Sequence, residues 1–135
     1  MEAETYDQNS STYGLWKPVT GLDNELYISD LGWIWQMNVK TGLWLQPTTG
    51  TPKRDSGYVV IKHRGKSHRV HVLVALTFIG PPPTEFHTVD HVAKYNGDYI
   101  RERSDNKAVN LRWATRSEQI VNRTLTKERR GRGVI

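Results

Sequence analysis

The chain contains no cysteine. That removes disulfides and thiolate zinc ligands together, so no part of the fold is expected to be pinned by either, and it suits an intracellular protein. No apolar run approaches the roughly 20 residues needed to span a bilayer. The first residues are acidic and polar, where a secretory signal would be basic and then apolar. Membrane insertion is therefore not expected. Internal repeats are absent. Basic charge is missing from residues 1–15, which carry Glu2, Glu4 and Asp7 with no Lys or Arg.

What is present is a basic, loop-rich chain of 135 residues, room for one domain or two small lobes sharing a core. Apolar residues make up 36%, and Gly and Pro are frequent. The net charge of +5 points to an acidic partner, with nucleic acid the first expectation. The charge is also placed unevenly: Arg123, Lys127, Arg129, Arg130 and Arg132 stand against Glu128 alone in the last residues. A run of this kind is ordinarily a solvated terminus. Directly behind a candidate site helix, it reads better as an arm on phosphates.

Along the chain, residues 1–15 are polar and Ser/Thr-rich and are expected to be disordered. Residues 16–46 alternate short Trp-, Tyr- and Ile-rich pieces with Gly and Asp, the pattern of a small antiparallel sheet. A connecting loop follows. Residues 57–63 and 67–70 read as two strands of a hairpin around Arg64-Gly65-Lys66, with Lys62, Arg64, Lys66, His68 and Arg69 making a basic ribbon that could enter a DNA groove. Residues 71–78 have helical spacing, stopped by Gly80 and Pro81-Pro82-Pro83. Strands are expected at 88–91 and 111–114, joined by a polar loop over 92–109. Thr115 is placed to cap a helix running to about Thr124, with Glu118 completing a capping box.

The chemistry concentrates in the last of these segments. Asp90-His91 stands at a strand end, Asn110 precedes the second strand, and Gln119 falls in the first turn of the capped helix. A carboxylate beside an imidazole can hold one divalent ion and deprotonate water, two requirements of phosphodiester hydrolysis. Most Asp-His pairs are ordinary surface residues, and an Asn before a strand commonly just turns the chain. Adjacent strand residues also point to opposite faces, so a shared site is expected to need the strand to end at Asp90. Leu111 and Trp113 read as core. Arg112 and Arg116 flank the site as candidate phosphate contacts, a solvated role being nearly as good a reading. His71 reads as structural or as a support behind the site residues, and His63, His68 and His87 as ordinary polar residues.

Val-Asp-His over 89–91 together with Asn-Leu-Arg-Trp-Ala-Thr over 110–115 resembles the phage and intron-encoded HNH homing endonucleases, whose core is a ββα-metal unit. The pattern from Trp16 to Gly32 resembles the small module that often precedes phage HNH domains, and Val70 to Gly80 resembles the family's helix before the active site. Trp33 and Val72 depart from the family, standing where it usually has basic residues, and the 92–109 connection is longer than usual. The resemblance implies an α+β fold, a small antiparallel DNA-binding β module at 16–46 followed by a nuclease domain at 57–125 and a basic tail at 126–135.

The resemblance also implies a metal-dependent DNA endonuclease that nicks double-stranded DNA as a monomer, with a homodimer as the route to a double-strand break. His91 matches the general base, Asp90 a metal-binding carboxylate and Asn110 the middle residue of the motif. Gln119 stands where the family generally carries Asn or His as a metal ligand, with Asn122 as a substitute on the same helix face. Mg²⁺ or Mn²⁺ is the expected ion. Arg112, Arg116, Arg64, Lys66, Arg69, Lys127, Arg129 and Arg130 are the expected DNA contacts. If the chain is phage-encoded, it would act in the host cytoplasm. The alternative is a non-catalytic DNA-binding protein on a degenerate HNH scaffold, which Gln119 and the long loop favour.

Overall fold

The structure is a computed structural model and describes residues 12–121. The N-terminal segment before them, Asn122 and the basic tail with Lys127, Arg129 and Arg130 lie outside the described residues. The fold is mixed α+β. Its first part is a four-stranded antiparallel meander of β1 (Trp16–Pro18), β2 (Leu26–Ser29), β3 (Ile34–Asn38) and β4 (Leu43–Trp44), in that order. Side chains alternate across a strand, and here the two faces differ in chemistry. Leu26, Ile28 and Ile34 are fully buried on one face. Trp16, Tyr27, Trp35 and Trp44 stack along the other, with Trp35 and Trp44 centroids 4.5 Å apart. The aromatics read from the sequence as strand residues thus shield the sheet's outer face.

The aliphatic face continues into the rest of the chain. Leu26, Ile28 and Ile34 share one hydrophobic cluster with Val59, Ile61, Val70, Leu73, Val74 and Leu111. Residues on both sides of the 47–56 connection therefore bury one another. The hairpin of β5 (Val60–His63) and β6 (Lys66–Arg69) turns at Arg64 and Gly65, with φ of 49° and 77°. Both residues are left-handed, as the tightest hairpin turn requires. β6 runs straight into α1 (Val70–Val74), which widens into one π-helical turn over Ala75–Ile79. The 71–78 helix expected from sequence is thus regular only in its first half, and Gly80 ends it with its N–H on the Ala75 carbonyl.

The strands expected around the candidate site are present as β7 (Thr88–His91) and β8 (Leu111–Ala114), paired from Thr88↔Ala114 to His91↔Leu111. The connection between them corrects the expectation of a loop. It holds α2 (Tyr99–Ser104), whose Asp98 side chain caps the Arg101 N–H at 3.2 Å, and a short 3₁₀ turn (Ala108–Asn110). Asn110 ends that turn, directly before β8. After β8 a helix begins at residue 116. Glu118 accepts from the Thr115 N–H at 2.8 Å and Thr115 Oγ1 from the Glu118 N–H at 3.4 Å, the reciprocal capping box.

Candidate active site

Pairing continues through His91, opposite Leu111, so the strand does not end at Asp90 as the sequence reading required. Period-two alternation then sends the two side chains to opposite sides of the β7–β8 ribbon. Thr88, Asp90 and Arg112 share one side. Val89 and His91 share the other, which faces the core.

His91 is only 7% exposed. Its Nε2 lies 2.8 Å from Oδ1 of Asn106. Its ring lies 4.8 Å from that of His71, which in turn stacks on Tyr58 at 4.9 Å. Burial pushes the His91 pKa down, against the contrary pull of the Asn106 contact and of the charge on Asp90. His71 is held at about 3, by burial first and then by the neighbouring His91 and Arg69. Both imidazoles are neutral at physiological pH, the form in which an imidazole accepts a proton. His71 sits beside the candidate base as a neutral wall, in keeping with its expected structural role.

Asn110 is buried, and both ends of its amide are engaged by backbone. Oδ1 accepts from the Ala93 N–H and Nδ2 donates to the Asp105 carbonyl at 2.7 Å. Its own carbonyl accepts from Val92 at 2.8 Å. Of the two roles open to it, fixing the imidazole or holding the loop, these contacts belong to the second. The side chain that meets the imidazole is Asn106.

Across the ribbon, the Asp90 carboxylate accepts from Nε of Arg112 at 3.1 Å and is 14% exposed. Gln119 reaches back from the capped helix, its Nε2 donating to Oγ1 of Thr88 and, at 3.3 Å, to the Ala114 carbonyl. Thr88 is two residues from Asp90 on the same side, so the Gln119 amide and the Asp90 carboxylate belong to one surface. Among the described residues no group of three or more His, Cys, Asp or Glu side chains could hold a metal. The donor set here is instead one carboxylate and one amide oxygen. Hard oxygen donors few in number suit an ion that keeps most of its waters, as Mg²⁺ does. Asp90 and Gln119 are the residues that would hold such an ion.

The expected DNA contacts fare differently. Arg64 is engaged by both carboxylate oxygens of Glu25, at 2.8 and 2.7 Å. His63, expected to be an ordinary polar residue, is buried with its Nε2 2.8 Å from the same carboxylate. Arg64 first and His63 second hold Glu25 down at about 2. This clasp joins the β1–β2 connection to the β5–β6 hairpin. Lys66 and Arg116 are exposed. Arg69 lies over the Tyr58 ring at 5.0 Å, and Arg103 of α2 joins it there at 4.9 Å. Tyr58 and Arg69 also line a cavity of about 390 Å³ with Lys53, Asp55, Ser56 and Ser67. Sequence reasoning missed Tyr58, Arg103 and Asn106. Arg103 and Asn106 sit in the segment read as loop, and their only signal was the proximity of Asn106 to Asn110.

No family model matches the chain, and no curated protein is significantly similar to it. Among solved structures, the chain is similar to one described as DNA binding and cleavage by the HNH homing endonuclease I-HmuI. The two share 26% identity at a TM-score of 0.57, over 89% of this chain and 60% of that one. The chain thus spans about three fifths of that protein's length. The antiparallel strands and few helices of the chain form an HNH-like α+β fold.

Proposed function

We propose that the chain is a metal-dependent HNH-type endonuclease that nicks double-stranded DNA. One observation carries this reading. Gln119 hydrogen-bonds Thr88, two residues from Asp90, and so brings a helix amide beside a strand carboxylate, with a buried neutral imidazole as the next residue. Similarity to a solved HNH homing endonuclease supports it, as does the basic charge.

In this mechanism Asp90 and the Gln119 amide oxygen hold Mg²⁺ or Mn²⁺, which when bound neutralises charge on the phosphoryl oxygens and on the leaving 3′ oxygen. His91, neutral because it is buried, takes a proton from water, and the resulting hydroxide attacks phosphorus as the 3′ oxygen departs. Asn110 keeps the 92–109 segment closed over the base. Arg112, freed from Asp90, and Arg116 lie beside the site as phosphate contacts. Lys66, Arg69, the β1–β4 sheet and the arm carrying Lys127, Arg129 and Arg130 extend the contact along the backbone. Asn122, three residues beyond Gln119 in the sequence, is the alternative ligand. One site per chain cuts one strand, and a double-strand break needs two copies.

A second reading has a specific observation behind it. The Asp90 carboxylate is already paired with Arg112, as it would be in a DNA-binding protein that had given up its metal. Supercoiled plasmid incubated with Mg²⁺, Mn²⁺ or EDTA separates the two. The enzyme converts it to open circles only with metal, and His91→Ala slows conversion by about 10²–10⁴-fold, the usual contribution of a general base. DNA binding without metal-dependent nicking would establish the second reading.

A further inference from the structure

Asn106 meets His91 from within the connection between β7 and β8. Its side chain is 4% exposed, and Oδ1 lies 2.8 Å from Nε2 of His91. Its Nδ2 is buried with no hydrogen-bond partner among the described residues. An amide with a single polar contact is aimed chiefly by its backbone, and that backbone is seated on the N-terminal sheet. The turn between β2 and β3 reaches it twice. The Asp30 carbonyl accepts from the Ala108 N–H at 2.8 Å. Gly32, itself buried, approaches so closely that a Cβ built there would stand 3.1 Å from the carbonyl carbon of Asn106, 3.2 Å from its oxygen and 3.3 Å from its Cβ. The turn is in turn braced by Ser29, whose Oγ accepts from the N–H groups of Leu31 at 3.2 Å and Trp33 at 3.0 Å.

We propose that Asn106, seated on the Asp30–Gly32 turn, is the positioning residue that holds His91 in its Nε2–H tautomer. An amide oxygen can only accept, so Nε2 carries the proton of the neutral ring and Nδ1 carries the lone pair. Nδ1 is the ring nitrogen nearer the strand backbone. The N-terminal sheet is on this account part of the support of the base, in addition to any contact it makes with DNA. The word base rests on the nuclease reading; the tautomer and its support do not.

The test reads the tautomer directly, by two-bond ¹H–¹⁵N correlation of the His91 ring in the full-length, ¹⁵N-histidine-labelled protein without metal or DNA. Wild type gives Nε2–H. Asn106→Asp keeps an acceptor and keeps that tautomer, whereas Asn106→Leu, close in size but without an acceptor, gives a mixture. Two glycines supply an internal control. Gly21 and Gly32 have φ of +83° and +84°, so alanine strains the backbone equally at both, but only at Gly32 does the added carbon meet Asn106; at Gly21 nothing lies within 4 Å.

Gly32→Ala is therefore expected to disturb the His91 tautomer while Gly21→Ala leaves it unchanged. In the plasmid assay, Asn106→Leu and Gly32→Ala lower the nicking rate by about 10–100-fold, the usual effect of removing an orienting partner, with DNA affinity unchanged. An Nδ1–H ring in wild type would overturn the proposal, because the amide would then be reversed, donating Nδ2 to His91. Indistinguishable effects of the two glycine substitutions would overturn the role of the turn. If wild type shows the Nε2–H ring and the expected variant pattern but never nicks DNA, the positioning stands and the nuclease reading falls.

Discussion

Asn110→Ala separates a residue that acts on substrate from one that holds the loop around the base. The side chain closes the segment from Ala93 to Asn110 with two bonds to backbone, Ala93 N–H to Oδ1 and Nδ2 to the Asp105 carbonyl. Alanine leaves that N–H and that carbonyl without partners. Each orphaned buried group costs about 1–3 kcal/mol, less where water enters. Ala93 and Asp105 are only partly buried, so the lower part of the range applies, and the pair sums to roughly 2–4 kcal/mol. Set against a typical total of about 5–15 kcal/mol, that is a large loss. For a chain of this size it should lower Tm by roughly 6–16 °C, at about 3–4 °C per kcal/mol. Urea unfolding of the variant against wild type gives the number, and amide hydrogen exchange localises it: protection should fall first at Ala93, at the loop's mouth. A stability change below about 0.5 kcal/mol, within the range of ordinary surface substitutions, together with abolished nicking would refute the loop-holding role and place Asn110 on the substrate.

Two further outcomes follow from the ion pairs. Glu25 is held at about 2 by Arg64 and His63, below its ordinary 4.5. A depressed carboxylate contributes stability that is complete above its unfolded value and is lost as pH falls toward the folded one. The urea midpoint of wild type should therefore decline between about pH 5 and pH 2, and Glu25→Gln should flatten that decline; parallel curves for the two proteins would remove the clasp from the account. At the site, Arg112→Met takes the guanidinium off Asp90. An ion pair this exposed is worth about 0.2–1 kcal/mol, so the Mn²⁺ concentration for half-maximal nicking should fall by up to about 5-fold. A higher requirement would mean that Arg112 aids catalysis from where it stands.

How much of this was legible in the sequence follows from the range of the interactions involved. β7, β8 and the Thr115–Glu118 capping box are local. Strand alternation and a side chain reaching three residues along a helix are fully encoded in short windows, and these came out where the sequence placed them. α2 is six residues long and carries neither a long apolar stripe nor a repeated period, so only Asp98 marked its start. The partners of the site were harder still. His63 finds Glu25 across 38 residues and His91 finds Asn106 across 15, and no spacing rule connects either pair. The alternation within β7 was set aside at Asp90 because the chemistry of Asp90-His91 was given precedence over the pairing of His91 with Leu111.

The length of the 92–109 segment can now be weighed differently. From sequence it favoured a scaffold in decay, since it exceeds the connection usual in the resembling family. In the structure it carries Asn106 to His91, Arg103 to the face of Tyr58 and to the Ser56 carbonyl at 2.7 Å, and the buried Glu102 to the Tyr95 N–H at 3.1 Å. Closing a loop of doubled length costs only about 0.6 kcal/mol more. A single hydrogen bond of the kind just named contributes about 0.5–1.5 kcal/mol, so the contacts outweigh the closure by a comfortable margin. The extra residues are ordered because they pack against the base and its neighbours. A segment free to decay would not be expected to converge on the one side chain whose placement the proposed chemistry most requires. The length of this connection therefore counts for a supported His91, and the case against catalysis rests on the pairing of Asp90 with Arg112 and on the opposite sides of the ribbon that Asp90 and His91 take.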